Sequence, residues 1–527
     1  MGIKKSLPIG IETFAKIHHD NHYYVDKTQL IIELINFSDY IFLSRPRRFG
    51  KSLTIDTIAE LFDGNQALFY GLYAQDNWDW SQKHPIIRLS FVDGVKDGLD
   101  RLNKNLTNQL NETANRYQVT LSDEAYVAIR FRNLITILYQ KYQQKVVILI
   151  DEYDKPILDN MVSHDPKQAK QMRDALKDFY SIIKGQDAKL RFVMLTGVSQ
   201  FSKVNLFSGL NNLTDITLLK QFSAICGYTQ YELETVFADE LMDVDLQKIK
   251  DWYNGYNWTG DKVYNPFDIL LFLADKNRVF QPFWFASGTP DFLLKVLDYE
   301  GVEKFDIRQM TADKLQLSKL DIEDVHPIAL MFQTGYLTIK KVFTVLDSPY
   351  YQLGYPNREV RQSLSKLLLA KYLHKKNEQA PAVLVTLLAT NDFDALKQQL
   401  KSFIASIPYD WHRNNTIAHY EGYWASVLFS YFASIGFDIT LEDMTNQGRI
   451  DMTIKLQDSI YIFEFKVLTK HRQGSATSQI IDKNYGEKYL SKNKAIYQIG
   501  IEINAQIRQI QHFEVTSPSD IKRSSVS

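Results

Sequence analysis

Two groups of residues have the types and spacing that phosphate chemistry needs. The first is Gly50-Lys51-Ser52, set between the apolar run Tyr40–Leu43 and the helically spaced Leu53, Ile55, Ile58, Leu61 and Phe62. Between a strand and a helix, glycine lets backbone N–H groups approach phosphate oxygens, lysine neutralises their charge, and a hydroxyl ligates Mg²⁺. The full pattern G-x-x-x-x-G-K-[ST] calls for glycine at position 45, where this chain has Arg45, followed by Pro46-Arg47-Arg48-Phe49. The loop is therefore a variant. Arg45, Arg47 and Arg48 either add phosphate contacts or form a surface for a partner or a nucleic acid. Asp151-Glu152 closes the apolar run Val146–Ile150. There Asp151 is expected in the Mg²⁺ shell, and Glu152 is expected to orient the attacking water. Thr196 ends the next apolar run, Leu190–Leu195, and is expected to contact the terminal phosphate or that water. The plain alternative is a helix that follows a strand, with acidic caps on neighbouring strand ends.

The second group lies near the C-terminus. Asp451, in Gly448-Arg449-Ile450-Asp451, precedes Glu464 by thirteen residues, and Glu464 and Lys466 are two apart in Ile460–Lys466. On a strand, positions i and i+2 share a face, so Glu464 and Lys466 point together while Phe463 and Phe465 point away. An uncompensated carboxylate in such apolar surroundings is costly; a metal ion or the lysine offsets it. Two carboxylates and a lysine suit Mg²⁺ binding and activation of a water for phosphodiester attack. Glu421 on a preceding helix is a candidate third acid, and Gln479 and Tyr485 follow on a polar helix. The competing reading is an ordinary ion pair on a β-hairpin.

The elements that must hold these residues follow from periodicity. Strands are expected at 40–43, 85–91, 146–150 and 190–195, with helices near 52–62, 95–116, 122–143 and 166–184 between them, an alternation that makes a parallel sheet of α/β type. Residues from about 225 to 410 read as mainly helical, with an aromatic turn at Trp252–Trp258. From about 415 a compact α/β pattern returns: a helix at 421–432, paired strands at 449–456 and 460–467, a helix near 474–491 and a strand at 495–503. The Ser-rich tail from Ser517 is expected to be disordered. The expected domains are therefore 1–224, 225–410 and 411–517, with the tail 518–527.

Composition narrows the function classes. The chain has 527 residues, 45% hydrophobic and 23% charged, which excludes a wholly disordered or fibrous protein. Lys+Arg 61 against Asp+Glu 62 leaves a net charge of -1, so no global basic excess points to nucleic acid, although a local patch can still bind it. One cysteine, Cys226, excludes an intrachain disulfide framework and a cysteine-cluster zinc site, and a reducing, cytoplasmic setting is expected. No apolar stretch approaches the ~20 residues of a membrane helix, so no membrane partner is expected. His18 and His22 stand at i and i+4, but a solvated helix end explains them better than a metal site, and His412 and His419 are isolated.

Several stretches together resemble a bacterial family, the predicted AAA-ATPase-like proteins with a C-terminal PD-(D/E)XK nuclease-like domain. They are Leu7–Gly10, Tyr24–Thr28, Arg45–Ser52, Leu149–Asp154, Leu195–Ser199, Phe207–Asn212, Gly448–Asp451 and Phe463–Lys466. The resemblance covers most of the chain and accounts for Arg45, because the family's loop is itself a variant. It implies an α/β architecture: a P-loop NTPase with an AAA-type parallel sheet, a mainly helical region, and a C-terminal α/β restriction-endonuclease-like domain. It also implies that Tyr24–Thr28 lies near the nucleotide. The expected function is ATP binding and hydrolysis joined to Mg²⁺-dependent cleavage of DNA or RNA, with ATP regulating cleavage. Arg45, Arg48, Phe49, Gly50, Lys51, Ser52, Asp151 and Thr196 are expected at ATP, and Ser52, Asp151, Asp451 and Glu464 at metal. Glu152, Asp451, Glu464, Lys466 and Glu421 are expected to act in catalysis. The alternative is a nucleotide-dependent switch whose C-terminal domain binds nucleic acid or a protein without cleaving. Oligomerisation is open.

Overall fold

The computed structural model describes residues 5–95, 98–124, 126–161, 166–200, 210, 212–288, 310–318, 326–373, 380–407, 421–456, 458–468, 475–492, 494–504 and 506–517. Most of Phe207–Asn212, together with His412, His419 and the tail 518–527, lies outside them. The chain divides into two compact units, Met1–Leu297 with Thr311–Asn357 and Asp298–Met310 with Arg358–Ser527.

The first unit is built on the strands Tyr40–Ser44 (β1), Ile86–Ser90 (β2), Val146–Asp151 (β3), Leu190–Gly197 (β4) and Thr214–Asp215 (β5). They form one sheet in the order β2-β3-β4-β1-β5, and every neighbouring pair is parallel. All residues of β1 and β3 are buried, as expected where helices cover both faces of a parallel sheet. Each fully buried Ile or Leu here contributes about 1.5–3 kcal/mol. Such strands admit polar residues mainly at their ends, and Ser44 and Asp151 stand at those ends. Register places Ser90 beside Asp151 and Leu43 beside Thr196, so these strand ends share the carboxyl edge, where open parallel sheets bind ligands. The covering helix Leu99–Arg116 buries Leu102, Leu106 and Leu110, one stripe at four-residue spacing.

The rest of the first unit is mainly helical, with two small antiparallel elements added. Tyr228–Thr229 (β6) pairs with Val263–Tyr264 (β7), and Thr311–Asp313 (β8), Thr338–Val345 (β9) and Ser348–Gly354 (β10) form a sheet in the order β8-β10-β9. The β9–β10 turn is Leu346-Asp347, both at positive φ (46° and 63°), the geometry of a tight hairpin. The aromatic segment Trp252–Trp258 is a packed turn. Gly255 has φ 116°, and a Cβ there would stand 2.2 Å from the Pro356 carbonyl oxygen, so only glycine fits.

The second unit carries Asp438–Met444 (β11), Arg449–Lys455 (β12), Ser459–Leu468 (β13), Ala495–Asn504 (β14) and Gln509–Thr516 (β15), in that spatial order. β13 and β14 are parallel along their length, and the other pairs are antiparallel. One face packs on the helix Glu421–Ala433, with the Phe432 and Phe463 rings 5.4 Å apart. A core of Ile450, Ile460, Ile462, Ile480, Tyr485, Tyr489 and Ile496 joins the sheet to the chain between β13 and β14. The single helix expected at 474–491 is broken in two, Ala476–Asp482 and the 3₁₀ segment Tyr485–Lys492. Asn484 between them takes a left-handed φ of 44°, which no helix continues through. No helix among the described residues is long and apolar enough to cross a membrane.

Candidate functional sites

After β1 the chain turns sharply twice, with Arg48 at φ 68° and Gly50 at φ 93°, before the helix Lys51–Asp63 begins. A Cβ on Gly50 would meet nothing within 4 Å, so its positive φ, rather than crowding, calls for glycine, and the helix start faces open space. Lys51 is almost buried, and its Nζ donates to the carbonyls of Arg45 and Pro46 at 3.0 and 3.1 Å, tying the loop over the helix N-terminus.

Arg45 takes the opposite direction from the other loop arginines. It is fully buried, its guanidinium donates to the carbonyls of Ser44 (2.8 Å), Thr217 (3.0 Å) and Phe222 (3.2 Å), and it lies 4.2 Å from the Trp258 ring centroid. Burial lowers its pKa to about 10, which leaves it charged at neutral pH. Arg45 therefore braces the loop from behind, in the place where the full motif has glycine. Arg45→Ala would strand three carbonyls and is expected to lower stability by about 3–5 kcal/mol, read as a fall in the urea midpoint followed by tryptophan fluorescence.

Arg47, Arg48, Phe49, Gly50, Lys51 and Ser52 border a cavity of about 320 Å³, a volume in the range of small-molecule sites. Its wall also includes Glu152, Lys155 and an apolar set with Tyr24, Val25, Ile225, Tyr228, Phe267 and Leu270. Arg48 lies over the Phe267 ring at 4.8 Å, and the Phe49 ring packs edge-on against Tyr256 and Trp258. Lys27 also borders the cavity and is paired with Glu232 at 2.6 Å. Of the stretch Tyr24–Thr28 flagged by family resemblance, Tyr24, Val25 and Lys27 thus stand in the same wall as the loop.

Asp151 ends β3 and accepts the Thr196 hydroxyl at 2.6 Å and the Glu152 N–H at 3.1 Å on the same oxygen. Thr196 is fully buried, so its hydroxyl orients Asp151 and does not border either cavity described here. Glu152 sits at φ 52°, a strained conformation for a non-glycine residue. Burial raises its pKa above the ordinary carboxylate range, with Lys51 opposing and Asp151 adding to the rise. The next carboxylate, Asp154, is buried and accepts the N–H groups of Val198 (3.1 Å) and Ser199 (2.7 Å) and the Ser199 hydroxyl, which locks the ends of β3 and β4 together. A second cavity, about 280 Å³, is bordered by Ser52, Asp151, Glu12, Asp56 and Arg88. Sequence reading missed Glu12, Asp56, Arg88 and Lys155; nothing in their local spacing marks them, because distant segments bring them to the loop.

In the second unit, Asp451 on β12 and Glu464 on β13 are 8% and 2% exposed, so both carboxylates are withdrawn from water. Asp451 accepts the Phe465 N–H at 2.8 Å across the strand gap, and Gln479 donates its side-chain amide to Glu464. Ladder register sets Glu464 beside Gly500 and Lys466 beside Glu502, so Glu464, Lys466 and Glu502 share a face of the β13–β14 pair. Glu502 accepts the Ala476 N–H at 2.9 Å, which seats the helix Ala476–Asp482 over that face. A Cβ on Gly500 would stand 2.4 Å from the Thr477 hydroxyl oxygen, so the helix rests directly on the strand. Glu421 opens the helix Glu421–Ala433, but its side chain lies outside the described residues. No three His, Cys, Asp or Glu side chains among the described residues form a ready metal cage.

Comparison with known sequences agrees with this two-part geometry. Residues 8–207 match a family described as "Predicted AAA-ATPase", and residues 419–513 match the PD-(D/E)XK nuclease superfamily. The chain is 47% identical over 521 residues, covering 98% of its own length and 99% of the relative's, to an uncharacterized protein in the vnfD 5' region of Azotobacter chroococcum mcd 1. The first match spans the loop, β3 and β4, and the second spans β11 to β14 and most of β15. With similarity running through both units, this chain belongs to the predicted AAA-ATPase family and carries a C-terminal domain of the PD-(D/E)XK nuclease superfamily.

Proposed function

We propose that the first unit binds and hydrolyses ATP, that the second cleaves DNA or RNA phosphodiesters with Mg²⁺, and that ATP regulates cleavage. The observation that carries the reading is that Lys51, Ser52 and Glu152 border one cavity while Ser52 and Asp151 border the adjoining one. That donor set fits a metal-bound nucleoside triphosphate. Gly50 leaves room for close backbone approach, Lys51 has one N–H beyond the two given to carbonyls, and Ser52 and Asp151 supply oxygen ligands. Mg²⁺, when bound there, would supply charge stabilisation to the phosphates. Arg47 and Arg48 add positive charge, and Thr196 holds Asp151 in a fixed orientation. Glu152, in the same wall as Lys51, would orient the attacking water and take its proton.

Replacing Glu152 with glutamine keeps its size and removes its basicity. ATP binding is expected to stay within threefold of wild type while turnover falls by about 10²–10³-fold, measured by calorimetry and phosphate release. Unchanged turnover would remove Glu152 from the reaction.

For the second unit, Asp451 and Glu464 would hold Mg²⁺, water filling the remaining positions, with Lys466 beside the attacked phosphodiester. The decisive experiment incubates the full chain with plasmid, single-stranded DNA and RNA, with Mg²⁺ or Mn²⁺, with and without ATP, alongside Asp451→Ala. Cleavage lost in the variant supports the nuclease, and dependence on ATP supports regulation. No cleavage of any substrate would favour the nucleotide-dependent switch.

A further inference from the structure

We propose that Glu12, from the N-terminal segment, is a third carboxylate at the phosphate part of the nucleotide cavity and acts with Asp151 on the metal-bound nucleotide. The inference rests on the ATP reading above and assigns a residue that the loop and strand motifs do not contain. Glu12 borders both cavities, one with Lys51 and Glu152 and the other with Ser52 and Asp151. It is an exposed residue whose carboxylate is partly sheltered in that wall.

Its position is fixed from both sides. Upstream, the Ser6 N–H reaches the Asn21 carbonyl (3.1 Å) and the Tyr23 N–H reaches the Ser6 carbonyl (2.9 Å). Downstream, the Phe14 N–H donates to the Asp56 carboxylate at 2.6 Å, and Asp56 is paired with Arg88 at 2.6 Å. Asp56 is four residues after Ser52 on the helix Lys51–Asp63, so this anchor stands one helical turn from the Ser52 hydroxyl. Glu12, two residues before the anchor, is thereby held at the metal side of the loop. One Asp151 oxygen already accepts two hydrogen bonds. A second carboxylate gives the water shell of a bound divalent ion a further acceptor. Burial raises the Glu12 pKa and Asp151 adds to the rise, while Arg48 and Lys51 oppose it, which places all four charges in one field.

Charge gives the proposal a signature that a structural role lacks. Glu12 should repel a metal-free triphosphate and favour a metal-bound one. The test measures dissociation constants of a fluorescent ATP analogue with the full chain, in EDTA and in Mg²⁺, for wild type, Glu12→Gln and Glu12→Asp. In Glu12→Gln, the ratio of the EDTA constant to the Mg²⁺ constant is expected to fall about tenfold, through tighter metal-free binding and weaker metal-bound binding. Glu12→Asp, which keeps the charge, is expected to recover part of the ratio. A ratio within twofold of wild type in Glu12→Gln, or an equal rise of both constants, overturns the assignment and leaves the ATP reading standing. A wild-type chain that binds the analogue in neither condition overturns both.

Discussion

Lys51→Ala is expected to weaken ATP binding by roughly 100-fold, the loss of a charge-assisted contact to phosphate in a sheltered site. The size follows from where the ammonium sits. It is 5% exposed, borders the cavity, and is held by the Arg45 and Pro46 carbonyls, so little ordering remains to be done when phosphate arrives. Other cations in the wall cannot fully replace it. Lys27 is committed to Glu232 at 2.6 Å, Lys155 is 3.6 Å from Asp159, and Arg48 lies on the Phe267 face. The substitution also leaves two carbonyls without a donor, at about 1–3 kcal/mol each if they stay dry. A drop in affinity could then come from a loosened loop. Lys51→Arg separates the causes, because it keeps charge and donors but has the wrong shape for the cradle. Calorimetry on both variants, with thermal unfolding beside it, checks the prediction. An affinity within threefold of wild type in Lys51→Ala would remove the phosphate from this loop. If ATP governs cleavage, the same variant loses the response of cleavage to ATP while its ATP-independent rate is kept.

What could be read from the sequence was set by how locally each feature is encoded. The runs Val146–Ile150 and Leu190–Leu195 announce strands buried on both faces, and β3 and β4 lie there with polar ends at Asp151 and Thr196. The edge strands of the second sheet carry no such run. Ile510 is the one buried residue of β15, flanked by exposed Gln509 and Gln511, and β11 lies at the other sheet edge, so neither stood out from its surroundings. Side-chain direction was harder still. Arg45 looks like a phosphate ligand in a run of three loop arginines, yet its partners are carbonyls at 217 and 222, far away in sequence. Thr196 looks like a free sensor, yet its hydroxyl is given to Asp151. Spacing names the strand end and the residue type; only the fold says which neighbour takes the donor.

The second large effect concerns the other unit. Asp451→Asn is expected to abolish metal binding there and to cut cleavage by about 10³-fold or more. The argument begins with cost. Two carboxylates at 8% and 2% exposure on neighbouring strands are expensive to hold without a cation. Local hydrogen bonds meet part of that cost, since Asp451 takes the Phe465 N–H and Glu464 takes the Gln479 amide. Asparagine keeps the acceptor for Phe465, so the strand pairing should survive and the change isolates charge. This leads to opposite outcomes for stability and activity. Without metal, Asp451→Asn should unfold at the same temperature as wild type or higher, because one of two like charges is gone. With Mn²⁺, wild type should gain stability by binding the ion in the folded state only, and the variant should not. An Asp151→Asn background in nucleotide-free buffer, which removes a proposed ligand of the first unit, keeps that unit's metal out of the measurement. Lys466→Ala should retain the Mn²⁺ response and lose cleavage, since its ammonium faces the same side of the β13–β14 pair as Glu464 but does not ligate a cation. If wild type gains nothing from Mn²⁺ and cuts nothing, Asp451 and Glu464 are structural acids held by their amide donors, and the second unit recognises its partner without cleaving it.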